Sequence, residues 1–325
     1  MSDATNTKVE VFLKHGGKTY IPVVIGEITV EWTRFASPGK MVLTVLEDDT
    51  LEFEEGDVVR IKVNDSNFFF GYLFIYERVK DRQYKLTCYD GLRYLKSKDV
   101  FKMKKQTYTA ALKTVCKRYG LKQGTIAGTK YVRKAKVFTG TVFDMLENYR
   151  KKTKQSTGNQ FLLFMDYDKV TLKNQSSMKT SWVIEASVAQ DFSYSSSIDQ
   201  DVYTVVKLYR KRGKKTKVYT KTLSKQKKKY GRLTYAENTK LKKKAKINKR
   251  LKKIADAHDS PRKKLSFTGV FGIPEIRAGS GMIVKLKAVG MDLNKNMTVS
   301  RVTHHFQDGI HTMDLTVIGG DFKDA

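Results

Sequence analysis

The fold is indicated most clearly by residues 58–76, which read VVRIKVNDSNFFFGYLFIY. Branched and aromatic side chains fill both halves of this stretch, and the polar turn at residues 64–67 separates them. The arrangement predicts an antiparallel hairpin made of a strand over residues 58–63 and a strand over residues 68–76. Because Gly71 interrupts the aromatic strand, we expect a bulge or a close backbone approach at that position.

Three segments upstream of this hairpin have the same character. Residues 9–13, 28–32 and 40–45 combine branched side chains with a broadly alternating pattern, and turn residues separate them. Short antiparallel strands at regular spacing favour a sheet that curves toward closure. We therefore predict a first, tube-like β-barrel domain over residues 1–100.

The hydrophobic period changes in residues 101–185. Apolar side chains recur three and four positions apart over residues 108–119, which is a helical spacing, with Thr107 as the N-cap and Gly120 as the stop. A second helix is predicted to begin at Thr141, whose hydroxyl can cap the free amides, and a short hairpin follows it. These elements predict a small α/β domain.

Strand patterns return in residues 186–325, and Asp308-Gly309 predicts a tight hairpin near the end of the chain. Between these strands, Leu241, Ala245, Leu251, Ile254 and Ala255 lie roughly on one helical face. The predicted fold class is a β-rich α+β chain. Two antiparallel β-barrel domains flank the small α/β domain, and a Lys-rich hairpin and helix, at about residues 210–262, form a basic helical insertion in the second barrel.

Most of the excess positive charge lies in residues 207–264. This stretch has 25 Lys and Arg against three acidic residues, a balance of +22 out of +30 for the whole chain. A local run of lysines is typical of an interface arm or a solvated loop and helix face. The candidate basic interface or channel comprises Lys211, Arg212, Lys214, Lys215, Lys225, Lys227, Lys228, Lys229, Lys242, Lys243 and Lys244.

Such a run could also bind nucleic acid through phosphates. Lysine outnumbers arginine, however, and few aromatic residues interleave with the cations, so the pattern gives weak support to base stacking or base reading. Contact with an acidic protein surface or another polyanion fits the composition better than sequence-specific recognition of nucleic acid.

No motif in the chain assembles a catalytic, cofactor or metal site. Cys88 and Cys116 lack metal-binding spacing, and we expect both to be reduced and buried. His304 and His305 point to opposite faces of one strand, so at most one of them can join His311, and a structural role is favoured over a metal site. Asp166 and Asp168 could form a carboxylate pair for hydrolysis, but a role as turn residues is favoured.

The longest apolar run, residues 68–76, is about half of what a membrane crossing needs, so no membrane span is expected. The N-terminal residues lack the pattern of a secretory signal, and we expect the chain to be made in the cytoplasm.

The order of these parts resembles that of baseplate hub proteins from contractile phage tails and related tailocins. That superfamily includes phage tail protein D, the VgrG hub domains and the XkdQ-type prophage proteins. The resemblance follows the order of several short patterns. They are Phe69-Phe70-Gly71-Tyr72, the Cys88 strand with its leucine helix to Leu95, Tyr119-Gly120-Leu121, the helix from Thr141, residues 192–199, Tyr230-Gly231, and the closing hairpin with His304 and His311.

The resemblance implies a homotrimeric structural adaptor without catalysis. Two barrels in each of three subunits would form a ring that joins the sixfold tail tube to the threefold spike. Its expected partners are the tail tube protein, the trimeric spike protein, and tape-measure and baseplate wedge proteins. The chain would be assembled in the bacterial cytoplasm and become part of a phage tail or tailocin particle.

The Lys-rich segment departs from the general family pattern, and it could face the channel, the spike or the outside of the baseplate. The residues expected to have structural roles are Gly71, Cys88, Gly120, His304 and His311. Two other functions remain open: a basic protein that binds nucleic acid through the Lys-rich segment and, more distantly, a tail-associated peptidoglycan hydrolase.

Overall fold

The structure is a computed structural model. It describes residues 6–35, 37–80, 82–185, 189–199, 201–213, 215–288 and 291–319, and the side chains of residues 212, 288 and 291 lie outside that description. Lys214 also lies outside the described residues.

The N-terminal third of the chain consists of strands. In order they are β1 (Val9–His15), β2 (Lys18–Tyr20), β3 (Val24–Thr33), β4 (Lys40–Leu46), β5 (Val58–Val63), β6 (Ser66–Lys80) and β7 (Gln83–Tyr89).

The middle third mixes helices with short strands. After a 3-10 helix at Gly91–Lys96 come β8 (Lys98–Met103), β9 (Gln106–Thr107), α1 (Tyr108–Tyr119), β10 (Gln123–Ile126), β11 (Val132–Arg133), β12 (Lys136–Thr141), α2 (Val142–Thr157), β13 (Phe161–Asp166), β14 (Lys169–Asn174) and a second 3-10 helix at Gln175–Ser177.

The last third returns to strands and adds two helices. Its elements are β15 (Lys179–Glu185), β16 (Asp191–Ser197), β17 (Val205–Arg212), β18 (Lys215–Thr222), α3 (Ser224–Tyr230), β19 (Thr234–Asn238), α4 (Lys244–Ala257), β20 (Arg262–Phe271), β21 (Gly281–Ala288), β22 (Met291–Gln307) and β23 (Ile310–Ile318). The predicted β-rich α+β class is therefore confirmed.

Residue contacts divide the chain into two units. The first comprises Met1–Phe192 with Ser266–Val317, and the second comprises Ser193–Leu265 with Ile318–Ala325. The chain passes from one unit to the other within β16, β20 and β23.

One large sheet dominates the first unit, and its strands follow the order β20-β23-β22-β3-β4-β7-β6-β5-β1-β2. The predicted hairpin is present as β5 and β6, although its turn is shorter than predicted because Ser66 already pairs with Val63. Asn64 and Asp65 form the turn with positive φ angles of 47° and 62°. Short polar side chains tolerate that conformation, which suits the right-handed twist of a hairpin.

Gly71 permits a close approach within this sheet, as predicted. A Cβ atom at this position would lie 2.6 Å from the Phe69 ring and 2.6 Å from the backbone oxygen of Tyr89. The register shifts lie on either side of Gly71 rather than at it, between Ile61 and Lys62 and between Leu73 and Ile75.

The strand pairings do not close into a barrel within the part of the chain that the structure describes. β3 pairs with β4 on one side and with β22 on the other, where Val30 lies opposite His304 and Ile28 opposite Phe306. Because β3 uses its second edge for β22, the two regions expected to form separate barrels share one sheet. Phe306 accordingly packs in the same core as Val30, Met41 and Leu86.

Helices α1 and α2 enclose a second core in the first unit. α1 starts after Thr107, whose hydroxyl accepts a hydrogen bond from the Ala110 amide, and ends at Gly120 with a left-handed C-cap, as predicted. α2 starts after Thr141, which caps the Asp144 amide. Both helices bury the stripes that the sequence pattern predicts, including Leu112, Val115, Leu146 and Tyr149.

Cys88 and Cys116 are both free thiols and buried, as predicted. Among the described helices, none is long and apolar enough to cross a membrane.

Candidate protein interface in the lysine-rich unit

The Lys-rich stretch folds around a core of its own. β17 is the central strand of a three-stranded sheet, antiparallel to β18 and parallel to β19. Its Val206 and Leu208 pack with Ile247 and Leu251 of α4, and all four side chains are buried. Burial of these side chains stabilises the unit despite its charge.

The predicted apolar face of the helix is correct in part. Leu251, Ile254 and Ala255 are buried in the core, but Ala245 is exposed and Leu241 precedes the helix. Ile247 takes the missing position, because 247, 251, 254 and 255 follow the spacing of one helical face. The strand that leads into the Lys-rich stretch begins at Val205.

The β17–β18 hairpin places two cations directly opposite each other. Arg210 pairs in register with Lys217, and paired residues of neighbouring strands project from the same face of a sheet. Lys217 is exposed and Arg210 is half-buried. Like charges in this arrangement destabilise a hairpin when no counter-charge is near.

Other cations lie on the opposite face and at the hairpin end. Lys211 is adjacent to Arg210 along the strand and so points to the other face, as does Lys207. Lys215, two residues before Lys217, shares the face of Arg210 and is exposed. Both faces of the hairpin therefore present positive charge.

The two helices of this unit differ in how they accommodate their lysines. Lys227, Lys228 and Lys229 lie in the last turn of α3, where cations interact favourably with the helix dipole. α4 has the reverse arrangement: its first turn contains Lys244 and no acidic residue, and its N-cap Lys243 makes no capping hydrogen bond from its side chain. Positive charge at a helix N-terminus opposes the dipole.

Two of the three acidic residues in the stretch are paired with cations outside the candidate set. Glu237 accepts hydrogen bonds from Arg250 at 2.9 Å and from the Tyr235 hydroxyl at 2.8 Å. Burial acts to raise the pKa of Glu237, but these hydrogen bonds hold it below its usual range. Asp256 pairs with Lys252 at 2.7 Å.

Every candidate cation whose side chain the structure describes is exposed, and none of these makes an ion pair with a described residue. They are Lys211, Lys215, Lys225, Lys227, Lys228, Lys229, Lys242, Lys243 and Lys244. The side chain of Arg212 and the whole of Lys214 lie outside the description. The structure thus leaves the described members free to meet an external anion.

Three aromatic rings of the unit are engaged internally. Tyr203, Tyr219 and Tyr235 pack against the core under α4. Tyr203 also donates a hydrogen bond to Asp201, at 3.0 Å. Rings held in this way are not presented for stacking on bases, which is the main contact of single-stranded nucleic-acid sites.

His304 and His311, in the first unit, form a buried hydrogen-bonded pair. His304 Nδ1 lies 2.9 Å from His311 Nε2, and His304 Nε2 lies 2.9 Å from the Ile276 carbonyl oxygen. Because the carbonyl can only accept, His304 Nε2 donates to it, and His304 Nδ1 accepts from His311 Nε2–H. Burial lowers the pKa of His311 to about 4 and that of His304 well below its usual range, so the pair is neutral.

The neighbouring His305 is on the other face of the strand, as predicted, and contacts Glu27 at 2.8 Å. Asp166 and Asp168 form the predicted turn around Tyr167 but have separate partners, Arg277 at 3.9 Å and Lys122 at 2.7 Å. They do not form a carboxylate pair for acid–base chemistry.

Arg277 is a structural element that the sequence analysis missed. Its guanidinium lies 4.0 Å from the Phe164 ring centroid and 5.2 Å from that of Trp32, and it donates a 2.8 Å hydrogen bond to the Met165 carbonyl. It lines a cavity of about 320 Å³ in the first unit. The side chains lining this cavity include no His or Cys, so it presents no thiol or imidazole for covalent or general-base chemistry. No period or motif marks a single Arg between strands, so only three-dimensional packing reveals it.

His15, Glu54 and Asp57 are close enough to share a metal ion. His15 Nδ1 and Asp57 already contact each other at 2.9 Å, and Asp57 also accepts a hydrogen bond from the Glu54 amide. These contacts indicate that the three residues stabilise the turn before β5.

A family model described as YQBQ-like matches residues 28–318 of the chain. Two curated relatives come from Bacillus subtilis strain 168. The uncharacterized protein YqbQ is 27% identical over 314 residues, covering 92% of this chain and 93% of the relative. The phage-like element PBSX protein XkdQ is 26% identical over 309 residues, covering 92% and 94%.

Solved structures share the fold at low identity. The 43 kDa tail protein of prophage MuSo2 from Shewanella oneidensis matches with a TM-score of 0.69 and 15% identity, over 96% of this chain and 98% of that one. The E. coli c3393 protein is described as a type VI secretion component similar to the T4 tail proteins gp27 and gp5. It matches with a TM-score of 0.56 and 9% identity, over 96% and 79%. The chain thus has the fold of phage tail and baseplate proteins.

Proposed function

This chain belongs to the YQBQ-like family, and from that premise we propose that it is the structural baseplate hub of a contractile tail or tailocin. In this role three copies form an adaptor between the sixfold tail tube and the threefold spike. The adaptor has no catalytic activity, and it assembles in the bacterial cytoplasm.

The observation that carries this proposal is similarity over nearly the whole length of the chain. The family match spans residues 28–318, and the relative from a phage-like element covers 92% of the chain. Similarity over this much of the chain supports a single structural role for the matched residues.

The geometry of the sheet supports the same role. β3 and β22 join two strand-rich regions into one continuous sheet, so both regions belong to the same part of the proposed adaptor. In the proposed ring, each of three chains would contribute both β-regions to the contact with a sixfold tube, and closed cyclic symmetry is common among homo-oligomers.

Mass measurement by light scattering tests the proposal. The protein would be treated with nuclease and measured in high salt, alone and with its candidate spike. We expect a species near three times 37.2 kDa, either alone or on addition of the spike. A chain that stays monomeric under both conditions would contradict the hub.

A second function is favoured by one observation, the balance of +22 in residues 207–264. A basic protein that binds nucleic acid would be monomeric in the same measurement and would bind duplex DNA with a steep dependence on salt. The two functions therefore predict different masses and different affinities for DNA.

A further inference from the structure

We propose that the tip of the β17–β18 hairpin docks into an acidic protein surface, one whose Asp and Glu side chains contact both faces of the hairpin. The occupant is a carboxylate-rich protein partner rather than a nucleic acid. The hairpin tip here means Arg210 and Lys211 of β17 with Lys215 and Lys217 of β18.

The first support is the uncompensated pairing of like charges. Arg210 and Lys217 lie directly opposite each other, and neither makes an ion pair with a described residue. The Lys217 ammonium lies 5.6 Å from the Tyr219 ring centroid, a weaker contact than an ion pair. A hairpin that places two cations together loses stability by itself and regains it when an anion binds.

The second support is that the charge is on both faces. Lys215 and Lys217 project from the face of Arg210, whereas Lys211 projects from the opposite face. A rigid duplex can contact only one of these faces at a time. A protein socket, or a flexible acidic segment, can contact both.

The third support comes from the chemistry around the cations. The rings of Tyr203, Tyr219 and Tyr235 are partly buried against the core of the unit, which limits their stacking on bases. Lysine at three of the four tip positions offers point charges, which suit dispersed carboxylates and lack the planar fork with which arginine reads bases.

Charge unfavourable to folding is found elsewhere in the unit as well. Lys244 occupies the first turn of α4, where a cation opposes the helix dipole. Cations at positions that reduce the stability of both a hairpin and a helix are explained when an acidic partner compensates for them.

This inference goes beyond the proposed function, because it concerns the chemistry of one partner and needs no trimer. Binding of an acidic polymer to the full-length chain can be measured whether or not three copies associate. Failure of the hub and failure of the hairpin tip therefore give different results.

The test compares two variants that change opposite faces of the hairpin tip. One is Lys211→Glu and the other is Lys215→Glu/Lys217→Glu, both in the full-length protein. The probes are fluorescent poly-L-glutamate and a DNA duplex of equal total charge, measured by anisotropy at several salt concentrations. We expect each variant to weaken binding of poly-L-glutamate by at least roughly tenfold at low salt. We expect the duplex to be affected less, and by only one of the two variants.

Lys104→Glu/Lys105→Glu is the matched control, because both lysines are exposed in the first unit. It should leave poly-L-glutamate binding within about twofold of the unchanged protein. A second readout checks folding: Lys217→Glu places a carboxylate opposite Arg210, so amide exchange in β17 should slow while binding weakens.

Three results would overturn the inference. Poly-L-glutamate binding that neither variant changes would show that the tip is not the docking surface. A loss of duplex binding equal to or larger than the loss of poly-L-glutamate binding would assign the tip to nucleic acid instead. Loss of binding with faster amide exchange in β17 would show unfolding of the hairpin, and would also remove the support from like-charge pairing.

Discussion

At the scale of single residues, the His304–His311 pair is a polar contact buried inside an apolar core. Phe68, Phe306 and Trp32 surround it, with the Phe306 and His311 ring centroids 4.2 Å apart. Both imidazoles are neutral in this arrangement. His311 donates a hydrogen bond to His304, and His304 donates one to the Ile276 carbonyl oxygen. A proton added to His304 Nδ1 would remove the acceptor and bury a charge.

Acid should therefore destabilise the first unit through this pair. In the unfolded chain the pKa of a histidine is about 6.5, whereas burial lowers the pKa of His311 to about 4 in the folded state. The unfolded state thus binds more protons, and the free energy of unfolding falls as pH decreases from about 6.5 to 4. His311 alone accounts for about 3 kcal/mol of this loss. Urea unfolding at pH 7.5, 6, 5 and 4 measures it.

His311→Gln is the matched variant, since its amide can donate to His304 and does not titrate. Burial raises the pKa of Asp90 to about 7, which gives a change of opposite sign in the same range. Because Asp90 is present in both proteins, its contribution cancels in the comparison. The variant should be less stable at pH 7.5 and have a flatter profile; parallel profiles would refute the assignment.

Gly71 gives a second prediction at this scale. In Gly71→Ala the new methyl group would lie 2.6 Å from the backbone oxygen of Tyr89, which cannot move without disturbing β7. We expect a loss of about 1–3 kcal/mol in the free energy of unfolding. Gly128→Ala is the control, because nothing lies within 4 Å of its Cβ position and it should change stability by less than about 0.5 kcal/mol. Equal effects of the two substitutions would contradict the close approach at Gly71.

At the scale of elements, the helices of the two units begin differently. α1 and α2 each begin after a threonine whose side chain caps a backbone amide. α4 begins after Lys243 without such a bond, and its stability depends on packing of Ile247, Leu251 and Ile254 against β17. Local sequence therefore specifies the first two helices, and tertiary contacts hold the last.

Lys243→Asp should stabilise α4. The carboxylate would cap a free amide and interact favourably with the helix dipole, adding about 1–2 kcal/mol to the stability of the second unit. Amide exchange of α4 measures the change. Lys242→Asp removes the same charge one residue earlier and lacks the cap geometry, so it should have a smaller effect. Equal effects would mean that net charge, and not capping, limits α4.

At the scale of the whole molecule, charge and architecture separate into different units. The second unit contains all of residues 207–264 and hence most of the positive charge, while the first contains the large sheet and the two larger cores. A strongly cationic surface would also steer an anionic partner before contact, with a rate that falls as salt increases. We therefore expect that substitutions in the second unit can weaken assembly without unfolding the first unit.

The lysines of α3 test this separation. Lys227→Glu/Lys228→Glu/Lys229→Glu should reduce the yield of assembled tail particles several-fold while thermal unfolding of the first unit is unchanged. Lys151→Glu/Lys152→Glu on α2 is the control for charge reversal on an exposed helix. Unchanged particle yield in the α3 variant would remove α3 from the assembly interface.

Local features of this protein follow from the sequence without any knowledge of the fold. Alternation and turn residues specified the β5–β6 hairpin and the Asp308-Gly309 turn, and capping residues specified α1 and α2, because these features depend on neighbours within a few positions. The tertiary structure alone decided the pairing of β3 with β22, the contact of His304 with His311, and the position of Arg277. It also decided that the Lys-rich stretch packs around its own core, with Ile247 in place of Ala245. Each of these contacts depends on which strand edges and apolar faces meet in space, and no period along the chain specifies that choice.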